Sequence, residues 1–450
     1  GSPVTFNLTV TESLSLVVTT TSDTTSNTDG QTSLREAVAY ANSGNAGANP
    51  VITFNPTVFA TAQTILLTQG ELGLSRDVTI TGPGADRLTV RGDWNGSTTS
   101  PGGSRIFQIT GGVTVEISGL TLANGAALGS GGAIISLRNT LTLRRCVIRD
   151  CFAFNAGGGV SSQSQSGQPA ALRVIECAVI GNIANYGGGI DCSWNSAAST
   201  LLVSQSLVAQ NTSRSTLSNL SGGGIFCGGG TSTTIVGSSI VGNTSAVPAG
   251  AGIFGPNNTT ITIQNTLVVG NTAAGAASDL SGGTVTDKGG NLIGLPNGTT
   301  LAQLLRVDAN GRPLVANNGG PTPSVALVAS SPALDAGVNL TTLTTALADG
   351  TTTSLTLGDT SGLYVGATIQ IGAEQMTVVA VPSATTCTVT RGANGSTPAA
   401  HSANASVNYA TDQRGSGSAR NQKGLASSPA ARPDIGAYEL FTAPTFTTGA

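Results

Sequence analysis

The most regular third of this chain carries few charged side chains. The candidate catalytic charges there are Arg144, Arg149, Asp150, Arg173 and Asp191. Glycan cleavage needs a spaced pair of carboxylates, a positioned basic residue, or an acidic cage for Ca²⁺. Arg144 and Arg173 are offset by one position within their repeats and need not share a face, and Arg149 with Asp150 precedes a corner. The expected reading is a charge-paired, solvated surface and no enzyme. No cofactor is implied. A structural Ca²⁺ would have only Asp308-Ala-Asn-Gly311, which lacks a later acidic ligand. The single histidine, His401, lies outside the regular region and leaves no His-based dyad or triad there. Sugar-binding grooves rely on aromatic platforms, and aromatics are 4% of the chain. Trp94 and Trp194, each flanked by polar residues, are the candidate glycan contacts, although loops tucked over the surface are the more ordinary expectation.

The elements that would position these groups are repeats. Five nine-residue phrases begin at Leu143, Val174, Val203, Ile235 and Ile263, successively 31, 29, 32 and 28 residues apart. That spacing fits one coil of a parallel β-helix. The first residue and the sixth (Ile148, Val179, Val208, Ile240, Val268) are always aliphatic, whereas the third (Arg145, Glu176, Gln205, Gly237, Asn265) never is. Alternation of this kind is strand logic. Because coils stack about 4.8 Å apart, the aliphatic positions are expected to form continuous core ladders that no single coil could bury alone.

The fourth residue is small (Cys146, Cys177, Ser206, Ser238, Thr266) and is expected where the strand turns a corner. The ninth is Cys151, then Asn182, Asn211, Asn243 and Asn271. Asn tolerates left-handed backbone and can bond its equivalents above and below, so an Asn ladder at a second corner is expected. A Gly cluster follows each phrase, such as Gly157-Gly-Gly-Val160. No helical pattern follows these clusters, which therefore do not read as phosphate loops. Cys146 with Cys177, and Cys192 with Cys227, occupy equivalent positions on consecutive coils and are candidate disulfides; a reduced small-residue ladder is the alternative.

Charged residues make up 9% of the chain and the net charge is −3, so there is no basic footprint for nucleic acid or acidic lipid. No apolar run of 18 residues reads as a transmembrane segment. No signal-peptide pattern stands at Gly1, and any export segment is expected to be missing from this sequence.

Ser33-Leu-Arg-Glu36 is a capping box, and Leu34, Ala37, Val38 and Ala41 predict a short amphipathic helix over 33–42 that closes one end of the stack. The run Thr21 to Asn42, with Thr-Ser-Leu-Arg-Glu-Ala followed by Ile52-Thr-Phe54, resembles the N-terminal module named for Cys-Ser-Leu-Arg-Glu-Ala, with Thr32 in place of the Cys. Asn318-Gly-Gly-Pro-Thr322, Ser331-Pro-Ala-Leu-Asp-Ala-Gly337, Asp412-Gln-Arg-Gly415 and Pro433-Asp-Ile-Gly-Ala-Tyr-Glu439 resemble the choice-of-anchor Q ending of bacterial surface proteins. The middle is similar to right-handed parallel β-helices of the pectate-lyase-like superfamily and to the repeats of chlamydial polymorphic outer-membrane proteins. These resemblances imply a bacterial protein that is secreted, extracellular or at the cell surface, and they bring no agreed catalytic residues.

The expected architecture is all-β. An extended strand (1–20) leads into a cap with the first coils (21–110), then the parallel β-helix (111–337). An inserted small β-domain (338–410) packs on the C-terminal cap (411–440), and a tail follows (441–450). At the N-terminus, Val4, Phe6, Leu8 and Val10 alternate with polar residues and have no assigned place in the solenoid. Such a strand suits β-addition to another subunit, which in a directional stack would be head-to-tail and non-closing. The leading expectation is a structural subunit that forms a homo-polymer through its termini. The alternatives are a monomeric adhesin that binds a glycan or cell-surface ligand, and a polysaccharide lyase or hydrolase.

Overall fold

The computed structural model describes residues 13–26, 28–99, 101–193, 198–217, 219–415 and 432–440. Its centre is a β-solenoid of stacked parallel coils. One coil shows the plan: Val160–Gln163 forms face A, Ala171–Ile175 face B, Ala178–Ile180 face C and Ile183–Ala184 face D. Faces A and B merge through the long strand Ile253–Gln264 into one 16-stranded sheet, while face C stacks nine strands and face D seven among the described residues.

The phase expected from sequence holds. Leu143, Val174, Val203, Ile235 and Ile263 are register partners in series on face B, and Ile148, Val179, Val208, Ile240 and Val268 are partners on face C. All ten are fully buried in one continuous core. At about 1.5–3 kcal/mol per buried aliphatic side chain, these two columns far outweigh any single cross-link at about 2–4 kcal/mol.

The corners fall one residue earlier than expected. The left-handed residues are the third of each phrase (Arg145, Glu176, Gln205, Gly237, Asn265) and the eighth (Asp150, Gly181, Gln210, Gly242, Gly270). The small residues and asparagines that follow them point inward and form polar ladders at the corners. Each Asn Oδ1 accepts from the backbone N–H of the preceding coil: Asn182 takes Cys151, Asn211 takes Asn182, Asn243 takes Asn211 and Asn271 takes Asn243, at 2.9–3.0 Å. Asn182, Asn211 and Asn243 also donate from Nδ2 to the next Asn Oδ1, at 2.9–3.0 Å. The last rung, Asn271, bonds the Asp279 carboxylate through both its backbone N–H (2.9 Å) and its Nδ2 (2.7 Å), so an acceptor-only group terminates the ladder.

The second ladder runs through the fourth position. Cys146 N–H meets Cys177 Sγ (3.3 Å), Cys177 N–H meets Ser206 Oγ (3.0 Å), and Ser206 N–H meets Ser238 Oγ (3.2 Å). Asn291 Oδ1 closes the run on Thr266 N–H (3.0 Å). This corrects the disulfide expectation. The paired cysteines do stand on neighbouring coils, Cys192 directly beside Cys227, yet all six thiols are free. In-register parallel strands send both side chains off in the same direction, and Cys146 and Cys177 act as hydroxyl substitutes in a hydrogen-bonded file.

The Gly clusters are steric. A Cβ on Gly158 would lie 2.4 Å from the Gly188 carbonyl oxygen, and one on Gly188 2.5 Å from that of Gly223. Successive coils pass too closely there for any side chain.

The two ends of the stack differ. The helix Leu34–Ser43 has the expected capping box and buries Leu34, Ala37, Val38 and Ala41 over the first coil. Arg35 pins it through a bidentate pair with Asp23 (2.7 and 3.0 Å). At the far end, the strand Leu280–Asp287 pairs on one side only among the described residues. Val285 continues the Ile261 core column but is 39% exposed, Ile293 continues the Val268 column but is 42% exposed, and Leu295 lies exposed nearby.

The C-terminal segments lie along the flank of the solenoid. The insertion is a six-stranded antiparallel sheet, and its Leu340, Leu363 and Tyr364 pack on the outer side of face B at Ile175 and Val236, not on the ending as expected. The ending itself coats face C: Leu304, Leu305, Val325, Leu327, Ala333 and Ile435 cover Ala178, Leu207, Val241 and Leu267. Three of its motif pieces interlock through buried acidic side chains, with Asp335 N–H on Asp434 (2.8 Å), Asp434 N–H on Glu439 (2.9 Å) and Glu439 N–H on Asp412 (2.8 Å), and Thr322 of the fourth accepts from Gln413 Nε2 (3.1 Å). Gln413 Nε2 reaches the Cys177 carbonyl (3.1 Å). The tail 441–450 and the strand carrying Val4, Phe6, Leu8 and Val10 lie outside the described residues.

Asn211→Ala removes the acceptor for two Asn182 donors in a dry interior, and each unmet donor costs about 1–3 kcal/mol. We expect a loss of roughly 2–4 kcal/mol in denaturant titration, against under about 0.5 kcal/mol for Thr212→Ala next to it on the outer side.

Candidate functional site

The five candidate charges do not converge on one site, and two further coil residues, Arg145 and Glu176, pair with each other at 2.6 Å. Arg149 and Asp150 pair with each other at 2.6 Å on an exposed corner between faces C and D. Arg144 and Arg173, which the repeat offset left free to lie on different faces, share the outer side of face B. Arg173 aligns with Thr142 and Arg144 with Ile175, while Leu143 and Val174 point inward. Arg144 nevertheless serves the insertion, donating to the Val365 carbonyl (2.8 Å) and lying 5.2 Å from the Tyr364 ring centre, with Glu116 at 3.5 Å. Asp308 is occupied by its own turn, accepting from the backbone of Asn310 (2.8 Å) and Arg312 (3.0 Å) and pairing with the Arg312 side chain. Among the described residues no three His, Cys, Asp or Glu side chains gather closely enough to hold a metal ion.

His401 belongs to a buried staple in the insertion. Its Nε2 lies 2.8 Å from Glu374 Oε2, and Arg391 Nε lies 2.6 Å from Glu374 Oε1. Burial alone would raise the Glu374 carboxyl; the bonds from Arg391, His401 and the Ala399 amide hold it at about 2.

Trp94 does not present a free platform. Its ring stacks on Phe152 (centroids 5.4 Å apart, 15° between planes) and its Nε1 donates to the Ser97 carbonyl (3.0 Å), so it is a loop tucked over face D. Trp194 lies outside the described residues.

The structure gathers a different set around Asp191. Ile190 and Cys192 on either side of it point into the core, so Asp191 sits on the outer side of face A, where it is nonetheless fully buried. Ser161 directly beside it on the preceding coil donates to Oδ2 at 2.6 Å, Gln163 Nε2 lies 3.4 Å from the same oxygen, and Ser193 Oγ donates to Oδ1. Burial pushes the Asp191 carboxyl up to about 6, with the two hydroxyls and the amide pulling partly back. Next to it opens a hollow of about 300 Å³, lined by Asn155, Gln163, Tyr186, Ser193, Leu220, Phe226 and the backbone of Gly228 and Gly229. Tyr186 rests against Phe226 (4.8 Å between centroids), and Phe226 stacks on Phe254 of the next coil (5.9 Å).

The sequence reading missed this cluster, though a signal was available. Ser161, Asp191, Phe226 and Phe254 all directly follow the apolar residue that closes a Gly cluster, a column that holds two polar and then two aromatic side chains with no core role.

No family model matches the chain, and no curated protein matches it. Among solved structures it is similar to the crystal structure of pectate lyase Pel9A, with 13% identity over 73% of this chain and 93% of that one and a TM-score of 0.37. The fold stands on the strand pairings above.

A carboxyl whose folded-state value lies above its unfolded one favours folding while protonated. Its contribution is lost as pH rises from about 3.8 to about 6. Asp191→Asn is therefore expected to melt like the parent near pH 4 and to become more stable than it above pH 6, by up to roughly 3 kcal/mol. Parallel melts across that range check the sign. An Asn variant less stable at every pH would show instead that the carboxylate is wanted in its charged form.

Proposed function

We propose that this chain is a non-catalytic, secreted structural solenoid that stacks head-to-tail through its unfinished end. The observation that carries this reading is the asymmetry of the stack. One end is closed by an apolar helix, whereas the other, among the described residues, leaves the edge of Leu280–Asp287 unpaired and the core residues Val285 and Ile293 exposed. An unpaired strand edge above an open core is a template for another strand. The occupant proposed is residues 4–10 of a second copy. Their alternating sequence supplies an apolar side chain at every second position, and they precede Val17–Val18, the first strand at the opposite end of the stack. The contact is heterologous, so it propagates.

The dispersed coil charges favour a structural role over a catalytic one, because no carboxylate pair or ligand cage forms from them. The composition supports the extracellular setting, as do the resemblances of the two ends.

Sedimentation velocity over a concentration series, with negative-stain images of the same samples, tests the proposal. Growing linear species are expected from the full chain. They should disappear both in Val285→Lys/Ile293→Lys and on deletion of residues 1–11, with melting unchanged. A full chain that stays monomeric at high concentration would sink the reading, as would assembly that survives both changes.

A further inference from the structure

The fold does not need a carboxylate at position 191. Equivalent positions on neighbouring coils of face A hold Ile135, Ser161, Phe226 and Phe254, so an apolar or hydroxyl side chain suffices to complete the sheet. A buried carboxyl there is costly unless its bonds do something. What they do is fix other groups. Ser161 and Ser193 commit their hydroxyl hydrogens to Asp191, and Gln163 is held with its Nε2 toward the same carboxylate. Ser193 and Gln163 also line the hollow, so its polar wall is oriented from behind. The Tyr186 ring, backed by the buried Phe226, also lines the hollow, and Asn155 adds a second amide.

Several oriented hydroxyl and amide groups beside one aromatic ring, in a concavity of this volume, have the form of a small-ligand site. Among the described residues the lining contains no lysine, arginine, aspartate or glutamate. That argues against an anion or cation as ligand and for a group with several hydroxyls and an apolar face.

We propose that this hollow binds one uncharged sugar ring, with its apolar face against Tyr186 and its hydroxyls bonded by Asn155, Gln163 and Ser193. Asp191 is a positioning residue: it makes no contact with the ligand and sets which lone pairs and N–H groups of Ser193 and Gln163 face it. The site lies on face A, between the two ends of the stack, and its occupancy does not depend on assembly.

Saturation-transfer NMR of the full chain against galactose, N-acetylglucosamine, cellobiose and galacturonate tests this. At least one of the three neutral sugars should bind, and galacturonate more weakly. Gln163→Ala and Tyr186→Ala should each weaken binding at least tenfold while circular dichroism and melting stay at parental values. Asp191→Asn should weaken it several-fold with the fold intact, and Asp191→Ala more. The proposal fails if none of the neutral sugars binds the parent, if galacturonate binds best, or if binding survives both the Gln163 and Tyr186 substitutions. A variant that does not fold leaves the decision to the other of the two, since they sit on different coils.

Discussion

Registration of one coil on the next is the constraint from which everything else in this molecule descends. Aliphatic columns supply the free energy of burial, but they tolerate sliding because one aliphatic contact resembles another. The inward Asn file does not. Each amide is bonded to its counterparts on both sides in a dry interior, so a slip would leave buried donors and acceptors unmet along the whole file. The hydroxyl and thiol file at the other corner repeats the device. Between them they allow the third and eighth residues to adopt left-handed backbone, which costs roughly 1–2 kcal/mol for most side chains, because the bonds that follow each turn offset that strain.

A registered stack offers flat outer faces, and the chain uses two of them to carry its own later segments. Face C is apolar outside as well as inside, and the ending lies on it. Face B presents Ile175 and Val236 to the insertion. The acidic residues of the ending serve as acceptors for backbone N–H groups that have no strand partner, which accounts for their burial without invoking a metal.

The sequence made the repeat phase legible because core positions are strictly aliphatic: Val174, Val203, Ile235 and Ile263 could be aligned by eye. The helix was equally plain from Ser33, Glu36 and its four apolar residues. The corners were misplaced by one residue because Arg145, Glu176 and Gln205 are not residue types that announce a left-handed backbone; only stacking strain and ladder bonding select it there. The coat on face C was hidden for a related reason. Triplets such as Leu207-Val-Ala209 and Leu267-Val-Val269 are apolar without alternation, a sign of burial on both sides, but the covering segment lies over 30 residues away in the chain. The Asp191 hollow was the least visible, since it joins side chains from three coils and loops of unequal length.

The acceptor-only end of the Asn ladder has a consequence for how such a chain changes length. Asp279 can receive the final Asn donors but cannot pass them on, and Asn291 closes the second file in the same region. Both terminators stand beyond the last full phrase. Duplicating or losing a whole repeat among the interior phrases would therefore leave each file with the same first and last members. Growth and shrinkage by entire coils are mild events for this architecture, whereas a one-residue insertion inside a phrase would break both files at once.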